Sequence, residues 1–271
     1  MSHAMLPESL PRSPSGSPSF RGGLVERARR SASPLLAALD GSQASAAALR
    51  IAIGLAHPGK RGSRLPDLRF EFGRSASAIA ASAQACGARL IVTARRSQRD
   101  RRPLGLANIA RKVLRHAAVP VLAVDAAAQR TPTTAVAAID FSMSSMEAAL
   151  AALTILEAPA TLYLLYVEPQ MQPVTCARGD SRAADGSASA SRLAFISRLW
   201  SANGIRVVAC ILRGDPAEET LGFARSVLAD LIACGQRARS IVERVLIGST
   251  TRELLDAAEC SVLVAPAGRS A

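Results

Sequence analysis

An internal repeat constrains this chain more than any other feature. The stretch S-P-L-L-A-A-L-D-G-S-Q-A-S-A-A-A-L-R-I-A (33–52) has the design of T-T-A-V-A-A-I-D-F-S-M-S-S-M-E-A-A-L-A-A (133–152). Each is a short apolar run ending in Asp, then Ser and small residues suited to a helix cap, then a helical pattern. Asp40 corresponds to Asp140 at an offset of 100. Further on, 72–94 runs parallel to 213–235 at an offset of 141, which holds through V-P-V-L-A-V (119–124) against C-S-V-L-V-A (260–265). Such self-similarity is the signature of a duplicated unit.

The two offsets differ by 41, so the first copy lacks about that many residues between its first helix and the run L-R-F-E-F (68–72). In the second copy that interval holds T-L-Y-L-L-Y-V (161–167), a polar loop (168–188) and S-R-L-A-F-I-S-R-L-W (191–200). One strand and one helix are therefore expected to be missing from the first copy. In the last of these stretches Phe195, Leu199 and Trp200 recur at helical spacing and read as core. The second copy is predicted to run strand 133–139, helix 144–157, strand 161–167, helix 187–202, strand 205–212, helix 216–227, strand 229–234, helix 249–258 and strand 260–265. Strands alternating with helices imply α/β architecture with parallel, doubly wound sheets. The expected domains are a shortened one at 33–127 and a complete one at 128–271. Residues 1–32, rich in Pro, Ser, Gly and Arg, read as a disordered tail, and the prolines argue against the amphipathic helix of an organellar leader.

Composition supports this reading. Hydrophobic residues make up 49% of the chain and aromatics 3%, so the core must be built from Ala, Val, Leu and Ile. No apolar run approaches the ~20 residues of a bilayer span, and no secretory pattern opens the chain, so a cytoplasmic protein without membrane partners is expected. The five cysteines are scattered and the histidines number three, which indicates neither a disulfide framework nor a zinc site. The net charge of +12 is concentrated in 33–125, with fifteen basic against five acidic residues. Without interleaved aromatics this excess is weak evidence for nucleic-acid binding, which is not expected.

One spacing carries chemistry. Gly235 and Gly248 lie thirteen apart, the second followed by Ser249 and a helical pattern. A glycine before a helix start leaves free N–H groups and the positive end of the dipole open to an anion. Thr250 with Glu253 matches a capping box, and Ser249 is an alternative cap. Spacing alone leaves open that both are ordinary turn glycines.

Taken with the repeat, residues 33–268 resemble the universal stress protein family in its tandem form. The residues that carry the resemblance are Asp140 at the end of the first strand and the run Gly235, Gln236, Arg237, Ala238, nine residues, Gly248, Ser249. The family's motif is Gly, two residues, Gly, nine residues, then Gly before Ser or Thr, so Ala238 replaces its middle glycine. The resemblance implies sheets of order 3-2-1-4-5, the adenine nucleotide alpha hydrolase-like arrangement. In such a sheet ligands bind beyond the C-terminal ends of strands 1 and 4, where the order reverses. It further implies an ATP site, with magnesium if the nucleotide brings it, formed by Asp140, Phe141, Gly235, Ala238, Gly248, Ser249 and Thr250. Ala138, Val167 and Cys234 would sit at the adenine.

In the first copy the motif positions become Ala94, Ser97, Ala107 and Asn108, and the second strand is lost, so no ATP is expected there. Its loop R-R-S-Q-R-D-R-R (95–102) reads either as a solvated loop or as a phosphate grip. No P-loop lysine or hydrolytic base is evident, which points to a non-enzyme with at most slow hydrolysis. The resemblance also implies pairing through the last strands, V-P-V-L-A-V and C-S-V-L-V-A, within one chain or between two. Pro120 then belongs at a strand start, since it has no N–H to donate. The expected function is nucleotide binding in stress response or signalling; the alternative is an interaction or scaffold protein that uses the basic first domain.

Overall fold

The structure, a computed structural model, describes residues 33–56, 68–73, 75–95, 109–169, 182–201, 204–236 and 247–267. The expected tail at 1–32, Cys176, Ala238, most of the loop 95–102, and Ala107 with Asn108 lie outside the described residues.

Among the described residues nine strands form a single sheet: β1 (Leu35–Leu39), β2 (Leu68–Phe72), β3 (Leu90–Arg95), β4 (Val121–Asp125), β5 (Thr134–Ile139), β6 (Ala160–Pro169), β7 (Ile205–Gly214), β8 (Leu231–Gly235) and β9 (Ser261–Ala265). They lie in the order β2-β1-β3-β4-β9-β8-β5-β6-β7. Every neighbouring pair is parallel except β4 with β9. Read from β7 inward, the last five strands give the order 3-2-1-4-5, with the reversal at β5 between β6 and β8. The predicted elements of the second copy all form, with ends shifted by at most five residues.

The described helices are α1 (Gln43–Ala56), α2 (Ala76–Ala85), α3 (Ile109–Leu114), α4 (Met143–Ile155), α5 (Arg182–Trp200), α6 (Pro216–Ser226) and α7 (Ser249–Ala257). They cover the sheet on both faces, so strands such as L-L-A-A-L are buried throughout. One face packs Leu35, Ala37, Val92, Ala137 and Leu164 against α1, α4 and α5. The other packs Leu36, Ile91, Val136, Cys234 and Val264 against α2, α3, α6 and α7. The helices meet the sheet largely through alanines, as in Ala148, Ala149 and Ala152 of α4, which lets backbones approach closely with few aromatics in the chain. Trp200 is buried and Leu199 half-buried at the end of α5, but Phe195 is 61% exposed. The buried side of α5 is carried by Leu193 and Trp200 with Ile196 and Leu199 packed against the same core, and Phe195 falls outside that stripe.

The strand sets β1–β4 and β5–β9 join edge to edge through β4 and β9, with Val121 opposite Val264, Leu122 opposite Leu263 and Ala123 opposite Val262. The last strands therefore pair within one chain. Pro120 directly precedes β4, as its missing N–H requires. The joint is locked by Arg95, 5% exposed at the end of β3. Its guanidinium donates to the Asp125 carboxylate at 2.9 Å and to the carbonyls of Leu255, Ala258 and Cys260 at 3.0, 2.7 and 2.8 Å. Those carbonyls belong to the last turn of α7 and the residues just after it, the negative end of the helix dipole. Arg95 is thus committed to an internal partner and is withdrawn from the phosphate grip considered for 95–102.

A second correction concerns the lost strand. The slot beside β1 is filled by β2, Leu35 pairing with Leu68 and Leu39 with Phe72, much as β6 lies beside β5. By sequence offset, β2 answers to β7. Among the described residues, what the first strand set lacks is thus an outermost strand, and the wall next to β1 is present.

Candidate functional site

The site predicted for the second copy starts from the tip of β5. There the chain turns sharply into α4, with Phe141 at φ +60°. Asp140 closes the turn: its Oδ1 accepts from the Ser142 amide at 3.0 Å and from the Ser142 hydroxyl at 2.5 Å. Ser142 in turn caps α4, its Oγ accepting from the Ser145 amide. A bulky residue at positive φ costs about 1–2 kcal/mol. The Phe141 ring is held by Tyr166, with centroids 5.3 Å apart, and lies under the Arg192 guanidinium at 5.8 Å. Phe141 thereby belongs to the core beneath α4 and α5.

β8 ends beside this turn. Ala138 pairs with Cys234 on one side and Leu165 on the other; continuing the register sets Val167 beside Asp140. Cys234 and Val167 are buried in the core under α6 and α7, with Ala138 half-buried against it. Burial pushes the Cys234 thiol up to about 12, the nearby Asp140 carboxylate adding to the rise against a hydrogen bond with Thr251. The thiol stays protonated at neutral pH and serves as an apolar wall.

Gly235 is one residue further and turns to the opposite face. A Cβ there would lie 2.5 Å from the Ser144 carbonyl carbon, 2.6 Å from Ser144 Oγ, and closer still to the Ser145 amide nitrogen. Glycine is required because the strand tip touches the backbone of the first turn of α4. This is a role in packing, which the spacing of the motif did not disclose.

α7 begins against the same strand tip. Thr251 in its first turn is buried, and its Oγ1 donates to the Gly235 carbonyl at 3.2 Å. Gly248 is the N-cap, at φ −58°, and no side chain caps this helix. The expected caps, Ser249 and Thr250, instead lie inside the first turn as helical residues. The amides of Ser249, Thr250 and Thr251 consequently have no intrahelical acceptor. Thr251 was missed by the sequence reading, although the run of three hydroxyls after Gly248 offered a signal.

Asp140, Ala138, Val167, Cys234, Gly248, Ser249 and Thr250 are thus gathered around the switch point of the sheet. Gly235 and Phe141 frame it from the α4 side. Gln236, next in the chain, is 1% exposed; its amide donates to the Ala265 carbonyl, while its side-chain oxygen and nitrogen have no hydrogen-bond partner among the described residues. Also among the described residues, no cluster of His, Cys, Asp and Glu fits a metal ion, and no helix is long and apolar enough to cross a membrane.

Comparison with known proteins bears on the fold. Residues 133–266 match the model of the Universal stress protein family. A universal stress protein of Methanocaldococcus jannaschii is 31% identical over 80 residues, which are 30% of this chain and 45% of that protein. The alignment thus spans less than half the length of the curated relative. Among solved structures, a universal stress protein from Archaeoglobus fulgidus is similar over 88% of this chain and 100% of its own, with a TM-score of 0.62 at 17% identity. A functionally unknown protein from Pseudomonas aeruginosa covers 89% and 95% with a TM-score of 0.59 at 19% identity. These likenesses extend the fold over both strand sets. In its matched sequence and the order of its five strands, the segment 133–266 is similar to the universal stress proteins.

Proposed function

We propose that the chain is a tandem universal stress protein, with a shortened copy at 33–127 and a complete copy at 128–271, and that the complete copy binds ATP in stress response or signalling. The supporting observation is the uncapped start of α7 lying against the tip of β8 at the switch point. Phosphate oxygens would accept from the amides of Ser249, Thr250 and Thr251, where the helix dipole favours negative charge. Ala138, Val167 and Cys234 offer an apolar surface to the base, and Asp140 supplies the acceptor at the β5 tip. Magnesium would arrive on the phosphates. With no P-loop lysine and Asp140 already accepting twice from Ser142, turnover is expected to be slow.

Equilibrium titration with labelled ATP tests this reading. Saturable binding, abolished by Gly248→Asp, is expected, because a carboxylate at the helix start satisfies the free amides and repels phosphate. Binding that survives Gly248→Asp, or no binding at all, overturns it. The basic excess in 33–125 supports a second reading, an interaction protein for an acidic partner. That reading gains if ATP with magnesium leaves the melting temperature unchanged.

A further inference from the structure

The two edges of the nine-stranded sheet differ. β7 carries Arg206 and Arg213 outward and presents no exposed large apolar side chain. β2 at the other edge presents Phe70, 44% exposed, and Phe72, 66% exposed, with stacked rings 6.4 Å apart. Among the described residues no strand lies beyond β2, and this is the position at which the other strand set has β7. An apolar edge strand left in this state templates pairing with another chain.

The sequence of β2 reads the same way from either partner. The Gly73 amide donates to the Leu39 carbonyl, so by alternation the peptide groups of Glu71 and Arg69 turn toward β1 and those of Leu68, Phe70 and Phe72 turn outward. An antiparallel copy related by a two-fold axis through Phe70 sets Phe70 opposite Phe70 and Leu68 opposite Phe72, each as a hydrogen-bonded pair. The same axis sets Arg69 opposite Glu71 twice, on the other face of the sheet. Opposite charges directly across an antiparallel pair attract and like charges repel, each by roughly 0.2–1 kcal/mol. Glu71 also accepts from Ser82, which fixes its carboxylate at this edge.

We infer that β2 is a self-association edge, at which a second copy of this chain pairs antiparallel about Phe70 and extends the sheet across the two molecules. The partner is a second copy because the charge pattern Arg69-Phe70-Glu71 is complementary to itself. The interface is isologous and closed, so it gives dimers and no fibres. It is distinct from the β4–β9 joint, which is spent inside the chain.

Sedimentation velocity of the full chain over about 1–100 µM should show a reversible dimer in the affinity range of small interfaces. Phe70→Lys, which sets two ammonium groups on the axis, should leave only monomer. Arg69→Glu should weaken the dimer about tenfold by turning two attractions into repulsions. Combining Arg69→Glu with Glu71→Arg should restore it. All these positions are on the exposed edge, and circular dichroism should confirm that the variants fold. A second readout is independent of charge: oxidised Phe70→Cys should cross-link to itself, since hydrogen-bonded partners have Cα atoms about 5.5 Å apart, within reach of a disulfide. Phe72→Cys should not, because its twin lies at the far end of the pair. A monomer at all concentrations overturns the proposal. So does a dimer indifferent to Arg69→Glu and Phe70→Lys, a double variant that fails to restore pairing, or cross-linking through Phe72→Cys and not Phe70→Cys.

Discussion

Positions 95 and 236 are 141 apart, Arg95 the last residue of β3 and Gln236 the first after β8, yet they have opposite fates. Arg95 crosses the β4–β9 joint and binds the end of α7 and Asp125. Gln236 sits as deeply buried, and its side-chain oxygen and nitrogen have no hydrogen-bond partner among the described residues. The turns into the first helices diverge in a milder way. Asp40 and Asp140 each accept from the serine two residues on, but Gly41 takes the left-handed turn that Phe141 must be held in by aromatic contacts. The two strand sets are therefore stabilised by different means: a buried ion pair and a relaxed turn in β1–β4, close backbone packing and a strained turn in β5–β9.

The largest expected effect would break this comparison at the joint. Arg95→Ala removes one partner of a buried pair and should destabilise the protein by about 3–5 kcal/mol in chemical denaturation. Gln236→Leu, which removes two unpaired polar atoms, should change stability by less than about 1 kcal/mol or raise it. Equal losses at the two positions would show that the Arg95 contacts contribute nothing special.

The strand tips sharpen the comparison next. Gly235→Ala drives a methyl group into the backbone of α4 and should cost about 1–3 kcal/mol. Ala94, its counterpart, already carries that methyl among the half-buried residues of the core, and Ala94→Gly should cost at most about 1 kcal/mol. A neutral Gly235→Ala in a thermal melt would remove the packing role assigned to this glycine.

The smallest effect concerns acid. Burial opposes ionisation of Asp40, but the hydroxyls of Ser42 and Ser45 and the backbone outweigh it, and its pKa falls below 3.8. A depressed carboxylate stabilises the fold above its unfolded pKa, and the contribution is lost as pH falls through the folded value. Asp40→Asn should therefore lower stability slightly at pH 7 and make it less steep below about pH 4. An unchanged acid limb in that variant would show that the turn does not depend on the charge.

Much of this was legible along the chain. The periodicity of apolar residues and the two offsets gave the strand and helix order, because these are local patterns, whereas the reversal at β5 and the pairing of the last strands were expected only from the family resemblance, which left open whether one chain or two supply that pair. That the ends of β5, β6 and β8 carry Asp140, Val167 and Cys234 side by side was expected from the same resemblance, and parallel register is what brings strand ends together. The neighbour of Gly235 and the partner of Thr251 were not, because a glycine or threonine in a string does not say which backbone it will touch.

By itself the sequence determined strands alternating with helices, and hence a largely parallel sheet covered on both faces, through patterns that act over one or two helical turns. Only the tertiary structure decided that β2 moves in beside β1, that Arg95 is spent on residues some 160 positions away, and that two phenylalanines are left at the sheet edge. The physical reason is that strand slots and buried charges are settled by competition among distant surfaces for cover, and that competition has no signature in the order of neighbours.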